Sequence, residues 1–140
     1  MKQFNILIVD DDPDDHLFVK SAISEFRSQI NLISVYDGMQ GLKYLGLTES
    51  DSVHKKFPDL ILCDINMPFI DGINFLETVK KDESYKNIPI CILTTSCDEC
   101  TKQRLISLGA MDCIIKPSYM SNYKTILAKI FNNISSFDDL

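Results

Sequence analysis

Short apolar segments alternate with amphipathic segments five times along the chain, and each apolar segment is too short to form a helix. They are rich in Ile, Leu, Val and Cys, as is typical of strands buried on both faces of a parallel sheet. The pattern therefore predicts five strands. These apolar segments are Phe4–Val9, Leu32–Val35, Leu60–Cys63, Ile90–Leu93 and Cys113–Ile115.

Between the apolar segments, the hydrophobic positions change to helical spacing. Strands that alternate with helices of this length favour an α/β fold, in which helices cover both faces of a parallel sheet. The buried positions of the first predicted helix are Val19, Ile23, Phe26 and Ile30. Those of the last predicted helix are Met120, Tyr123, Leu127, Ile130 and Ile134.

Polar residues mark the predicted helix starts. Asp12 offers an N-cap and is followed by Pro13, a residue favoured in the first turn. Ser96-Cys97-Asp98-Glu99 matches a capping box, in which two side chains satisfy backbone amides at a helix start. Further starts are predicted after Asp37 and Asp71.

The length of 140 residues corresponds to one domain, and a composition of 45% apolar and 24% charged residues is ordinary for a globular protein. We expect this domain to span residues 1–133 and a short polar tail to span residues 134–140. No apolar run approaches the roughly 18 residues of a membrane span. The amino terminus also lacks the features of a signal peptide, so a cytoplasmic location is predicted.

The net charge of −6 argues against nucleic acid as a partner, because binding to the phosphate backbone needs a basic surface.

Five cysteines are an odd number for a disulfide framework. Cys97 and Cys100 form a C-x-x-C, but neither a second pair nor a nearby His completes a zinc site. We therefore predict thiols that pack in the core or lie at the surface. His16 and His54 are isolated, and we expect both to be solvated.

Ionisable and hydroxyl side chains follow the ends of four predicted strands. Asp10 and Asp11 follow the first strand, Asp64 the third, Thr94 the fourth and Lys116 the fifth. Ligands of doubly wound sheets bind at these carboxyl ends, so the side chains are predicted to share one pocket. A carboxylate can attack phosphorus, Mg²⁺ suits all-oxygen ligands, and lysine neutralises a phosphoryl oxygen. The set therefore indicates a phosphoryl group carried on a carboxylate.

Asp10-Asp11, Asp64, Thr94 and Lys116-Pro117, in this order and at these strand ends, resemble the CheY-like receiver domain of bacterial two-component response regulators. The resemblance extends from Ile6 to about Phe131. It implies a flavodoxin-like (βα)5 fold, a doubly wound parallel sheet of five strands in the order 2-1-3-4-5. It also implies Asp64 as the phosphoacceptor, with Lys116 and Thr94 contacting the phosphoryl group, and a cis bond before Pro117. The implied Mg²⁺ ligands are the carboxylates of Asp10, Asp11 and Asp64 and the backbone carbonyl of Asn66.

The segment Leu93-Thr94-Thr95-Ser96, the long loop before the third strand and the lack of an output domain resemble stand-alone receivers that serve phytochrome-type and hybrid sensor kinases. The implied function is to accept a phosphoryl group from a histidine kinase or histidine phosphotransfer protein and to switch a partner-binding surface. Such a protein catalyses its own phosphotransfer and slow dephosphorylation without being a turnover enzyme. The downstream target and a homodimer through the fourth and fifth helices are left open.

One position departs from the family pattern. Many receivers carry Tyr or Phe three residues before the active-site lysine, whereas this chain has Cys113. A small thiol cannot sweep the surface that an aromatic ring sweeps, so we expect signalling to rely more on Thr94 and on the fourth helix.

Two other functions fit these residues less well. A phosphatase of the haloacid-dehalogenase type needs a second Asp two residues after the nucleophile, where this chain has Asn66. A pseudo-receiver would bind a partner without phosphorylation, but the intact acidic set together with Thr94 and Lys116 argues against it.

Overall fold

A computed structural model describes residues 3–26, 29–48 and 55–134. One sheet of five parallel strands has the order β2-β1-β3-β4-β5, which confirms the predicted flavodoxin-like fold. The strands are β1 Phe4–Val9, β2 Ile30–Val35, β3 Leu60–Cys63, β4 Ile90–Thr94 and β5 Asp112–Ile115. The helices are α1 Pro13–Ile23, α2 Gly38–Tyr44, α3 Gly72–Lys81, α4 Glu99–Ser107 and α5 Asn122–Asn132. None of these helices is long and apolar enough to cross a membrane.

Two hydrophobic cores form because successive side chains of a strand point to opposite faces of the sheet. Leu7 of β1 packs in a core with residues of α2, α3 and α4, whereas its neighbour Ile6 packs with residues of α1 and α5. Each large aliphatic side chain buried in this way contributes about 1.5–3 kcal/mol. The three central strands, β1, β3 and β4, are therefore buried on both faces, and the carboxyl edge of the sheet is held between two packed layers.

The first and last helices differ from the predicted patterns. α1 ends at Ile23, and Ile30 pairs with Phe4 at the start of β2. Phe26 and Ile30 therefore lie beyond the helix, although they fit its spacing. In the last helix Met120 precedes the first turn and is exposed. The other predicted positions of that helix, Tyr123, Leu127, Ile130 and Ile134, are buried, the last of them just after the helix ends.

Carboxylates cap the first four helices. Asp12, Asp37 and Asp71 accept backbone hydrogen bonds at the starts of α1, α2 and α3, as predicted. The start of α4 was predicted wrongly, because the N-cap is Asp98, which accepts from the Thr101 amide, and not Ser96. An Asp side chain caps as well as Ser, so the capping-box pattern could not distinguish the two positions.

Gly72 fixes the path of the loop that follows β3. Its amide donates to the Ile65 carbonyl at 2.8 Å. A Cβ at this position would lie 2.2 Å from the Asp64 carbonyl oxygen and 2.7 Å from Ile65 Cα. Both neighbours are backbone atoms, so only glycine allows α3 to begin this close to the end of β3.

We expect Gly72→Ala to lower the free energy of unfolding by about 2–3 kcal/mol, because the added methyl group must displace backbone. Urea denaturation measures the change. Thr78→Ala is the control, since Thr78 is exposed in the same helix, and it should shift stability by about 0.5 kcal/mol or less. Equal stability of wild type and Gly72→Ala would contradict the steric argument.

Candidate phosphoryl-acceptor site

Three carboxylates meet at the carboxyl edge of the sheet. β1 and β3 are neighbours, with Val9 opposite Cys63, so Asp10 and Asp64 leave adjacent strand ends side by side. One carboxylate oxygen from each of Asp10, Asp11 and Asp64 lies within 4.8 Å of the others. Asp10 and Asp64 are buried, whereas Asp11 is exposed. This all-oxygen cluster has the ligand chemistry that Mg²⁺ prefers.

Lys116 brings the compensating positive charge. Its Nζ lies 2.8 Å from Asp10 Oδ2 and 3.3 Å from Asp64 Oδ2. The Lys116 amide also donates to the Thr94 carbonyl at 2.7 Å, so pairing between β4 and β5 sets the position of the lysine. The peptide bond before Pro117 is trans, since no bond in the described ranges is cis; the implied cis bond is therefore not found.

A fourth carboxylate, Asp15, was missed by the sequence prediction of the site. Asp15 Oδ2 lies 2.7 Å from Lys116 Nζ, and Tyr123 Oη donates to Asp15 Oδ1 at 2.9 Å. Asp15 and Tyr123 are buried, and together they join α1 to α5 beneath the lysine. A signal for this was present, because Asp15 stands four residues before Val19 and so lies on the buried face of the first helix.

Burial and pairing act in opposite directions on these charges. Burial raises the pKa of Asp10 to about 6, although hydrogen bonding and attraction to Lys116 lower it. Burial lowers the pKa of Lys116, but its hydrogen bonds to Asp10 and Asp15 outweigh this effect and raise the pKa above its ordinary value. The lysine is therefore a permanent cation.

Thr94 is the last residue of β4, the strand next to β3, and its side chain is completely buried. Its hydroxyl oxygen has no hydrogen-bond partner within the described part of the chain. A buried hydroxyl without a partner costs about 1–3 kcal/mol, and such groups are rare in folded proteins. The Thr94 hydroxyl is therefore free to donate to a ligand at this edge of the sheet.

The loop after Asp64 supplies the remaining predicted residue. The Ile65 amide donates to Asp64 Oδ1 at 2.8 Å and fixes the carboxylate at the loop entrance. Asn66 follows and is exposed. Phe69, farther along, has a φ of 67° and is 94% exposed.

Two residues near the site differ from their expected environments. His16, which we expected to be solvated, is buried, with Nε2 2.8 Å from the Asp10 carbonyl oxygen and its ring 4.3 Å from that of Tyr36. His54 lies outside the described residues. Cys113 is buried as predicted, and its sulfur lies 2.9 Å from that of Cys97, which no spacing rule revealed. All five cysteines are free thiols.

The sequence model of the family described as "Response regulator receiver domain" matches residues 6–128. The protein therefore belongs to the response regulator receiver domain family, a class of two-component signalling modules. This agrees with the resemblance inferred from the strand-end residues.

Relatives show how widely the domain is used. The chain is 30% identical to the probable chemotaxis protein CheY of Rhizobium etli, covering 93% of this chain and 94% of that protein. It is also 30% identical to hybrid signal transduction histidine kinase D of Dictyostelium discoideum, over 80% of this chain but only 6% of the kinase. The phosphorylated cyanobacterial phytochrome response regulator RcpA superimposes with a TM-score of 0.83, at 28% identity and 99% coverage of both chains.

The raised pKa of Asp10 predicts a pH-dependent stability. The folded state binds this proton more tightly than the unfolded chain, whose carboxyl has an ordinary pKa of 3.8. The free energy of unfolding should therefore fall as the pH rises from about 4 to about 6, and the cost should persist above that range.

We expect Asp10→Asn to raise the free energy of unfolding by about 1–3 kcal/mol near pH ~8 in buffer with a chelator, because it removes a buried charge. The gain should shrink as the pH falls below ~6 and should be lost below ~3, where Asp10 is protonated in both states. Denaturant unfolding across this range measures it. Asp14→Asn, at an exposed position of the same segment, is the control. A gain that does not vary with pH would contradict the assignment.

Proposed function

We propose that this protein is a phosphorylation-switched response regulator, in which Asp64 accepts a phosphoryl group from a sensor histidine kinase or a histidine phosphotransfer protein. The observation that carries the proposal is the contact between Asp64 and Lys116 beside two further carboxylates. Burial of such a set of charges would not stabilise a hydrophobic core, whereas transfer of a phosphoryl group to a carboxylate requires both an acceptor and charge neutralisation.

Asp64 is the acceptor in this proposal. Its Oδ1 is held by the Ile65 amide, which leaves Oδ2 on the side of Lys116. Attack of a carboxylate oxygen on phosphorus forms an acyl phosphate, while the bond between phosphorus and the donor's imidazole nitrogen breaks. The neutralised imidazole is the leaving group.

The acidic cluster supports Mg²⁺ as the cofactor, because its donors are all oxygens and their mutual repulsion favours a divalent cation. Asp10, Asp11 and Asp64, with the backbone carbonyl of Asn66, would hold the ion. When bound, Mg²⁺ supplies neutralisation of the charge that a phosphoryl group adds.

Lys116 and Thr94 stabilise the phosphorylated state in the proposal. The ammonium, buried among carboxylates, moves from sharing its charge with Asp10 and Asp15 to neutralising a phosphoryl oxygen. The unpartnered hydroxyl of Thr94 donates to another phosphoryl oxygen and draws the segment between β4 and α4 inward. The surface around α4 is then the part that a partner senses.

The proposal treats residues 1–133 as the receiver, 134–140 as a tail, and the domain as a cytoplasmic signalling module, not an enzyme with metabolite turnover. Residues 135–140 lie outside the described part of the chain. Similarity to CheY and to the phosphorylated response regulator RcpA, each over almost its whole length, supports a stand-alone receiver. The output is contact with a downstream protein, with no role for nucleic acid. Size measurement before and after phosphorylation would show whether two chains form a homodimer.

The decisive experiment is incubation with acetyl phosphate and Mg²⁺, followed by intact-mass measurement. We expect one phosphoryl adduct on wild type, none on Asp64→Asn, and a loss of the adduct when Mg²⁺ is chelated. Asp71→Asn is the matched control, because Asp71 is an acidic residue of the same loop that caps α3 and an amide can replace it there.

An unmodified wild type would favour the pseudo-receiver, and rapid turnover of p-nitrophenyl phosphate would favour the phosphatase. Either result would overturn the proposal. An adduct that persists in Asp64→Asn would move the acceptor to another residue.

Replacing Thr94 should separate phosphorylation from switching. We expect Thr94→Ala to incorporate phosphoryl groups nearly as well as wild type, but to lose most of the NMR shift changes in α4 that beryllofluoride and Mg²⁺ induce. Thr94→Val should do the same without loss of stability, because the buried hydroxyl has no partner to lose. Thr95→Ala, at the exposed neighbouring position, is the control. Shift changes of equal size in wild type and both Thr94 variants would contradict this role.

A further inference from the structure

Two thiols that belong to different elements meet near the switch residues. The Cys113 thiol of β5 donates to the sulfur of Cys97 in the loop between β4 and α4, at a distance of 2.9 Å. A disulfide bond has a sulfur–sulfur length of about 2.05 Å, so the two atoms need to approach by only ~0.9 Å to bond. Sixteen residues separate the cysteines in sequence, so the fold creates the pair.

The pair is open to small reagents. Both cysteines line a cavity of ≈ 450 Å³ between α4, β5 and α5, together with Lys102, Asp112 and Ile126. Cys97 is partly exposed, whereas Cys113 is buried behind it. A water molecule occupies about 30 Å³ of liquid, so a cavity of this size admits a molecule as small as hydrogen peroxide.

We propose that Cys97 and Cys113 form a redox modification site, which a hydroperoxide oxidises reversibly to an intramolecular disulfide. The formation of the bond is independent of phosphorylation. Its regulatory consequence rests on the function proposed above.

The chemistry needs one equivalent of peroxide. The Cys97 thiolate attacks the peroxide oxygen, the O–O bond breaks, and Cys97 sulfenic acid and water form after proton uptake. The Cys113 sulfur then attacks the sulfenic sulfur, the S–O bond breaks, and the hydroxide leaves as a second water with the Cys113 proton. The two sulfurs together lose two electrons, which the peroxide oxygens receive. A dithiol reductant reverses the step by thiol–disulfide exchange.

The environments of the two thiols assign their order of reaction. Burial, with a contribution from the hydrogen bond to Cys97, raises the pKa of Cys113 to about 12. Cys113 therefore stays protonated while the partly exposed Cys97 thiol meets the oxidant, and Cys113 reacts second as the resolving residue. Burial also raises the pKa of Cys63 well above its ordinary value, so Cys63 is inert.

The bond would join the two segments that carry the switch. Cys97 stands three residues after Thr94, and Cys113 three residues before Lys116. In β4 and β5, Ile92 pairs with Cys113, so the new bond would fasten the loop beyond the end of β4 to the middle of the neighbouring strand. Inward movement of this loop is what the proposed function requires of Thr94. The oxidised protein should therefore accept a phosphoryl group but respond to it less.

The first test is disulfide mapping on the reduced full-length chain after treatment with stoichiometric hydrogen peroxide. We expect wild type and Cys100→Ser to lose two hydrogens and to give a peptide that links Cys97 to Cys113. Cys97→Ser and Cys113→Ala should not form this link. Cys100 is the matched control, because it is exposed and forms a C-x-x-C with Cys97.

A link between Cys97 and Cys100, an intermolecular dimer through Cys100, or oxidation only to sulfinic acid would each overturn the proposal. Cys97→Ser changes a partly exposed position, so its fold is not at risk, and circular dichroism verifies this for the buried Cys113→Ala variant.

The second test measures the consequence. With beryllofluoride and Mg²⁺, the oxidised wild type should show NMR shift changes in α4 at least about threefold smaller than the reduced form, and Cys97→Ser should show no effect of peroxide. Failure of the proposed function would remove the response of reduced protein as well, while the mapped disulfide would still form. Equal responses of reduced and oxidised wild type would overturn the regulatory role.

Discussion

The ammonium group of Lys116 is the interaction on which the carboxyl edge of the sheet depends. It lies within 3.3 Å of carboxylate oxygens from Asp10, Asp15 and Asp64, which come from the end of β1, the first turn of α1 and the end of β3. The fold brings these carboxylates together although their like charges repel one another. A carboxylate buried without a partner would protonate or unfold the edge, so the lysine lets the topology and the acidic chemistry coexist.

The rest of the fold positions this cluster with little freedom. Two cores press on the sheet from opposite faces, and Gly72 brings α3 against the loop that leaves β3. The Lys116 amide donates a hydrogen bond to the Thr94 carbonyl, so the paired strands β4 and β5 hold both the ammonium group and the hydroxyl group. A ligand bound at Asp64 is therefore connected to the segment before α4 through Lys116 and Thr94. Asp15 and Tyr123 connect the same lysine to α1 and α5, on the opposite face of the sheet.

The features that repeat along the chain were predictable from sequence. Strand positions and the residues after Val9, Cys63 and Leu93 followed from hydrophobic pattern and topology, because parallel strands place their ends at one edge. Contacts between distant side chains were not predictable in the same way. The pairing of Cys97 with Cys113 depends on a loop path that no local pattern encodes. The end of α1 was missed because Phe26 and Ile30 fit helical spacing, while pairing of Ile30 with β1 decided its structure.

Separate cores on the two faces have a consequence for how this sequence can diverge. Ile6 and Leu7 are adjacent in β1 yet contribute to different clusters, and no buried side chain among the described residues belongs to both. Distant substitutions that share no contacts act additively on stability. The helical layer of α1 and α5 can thus accumulate changes that suit one binding partner while the layer of α2, α3 and α4 adapts to another. Away from the contacts of Lys116 with Asp15, the backbone of the sheet separates the two layers, so binding specificity on either face can change independently around an unchanged chemical centre.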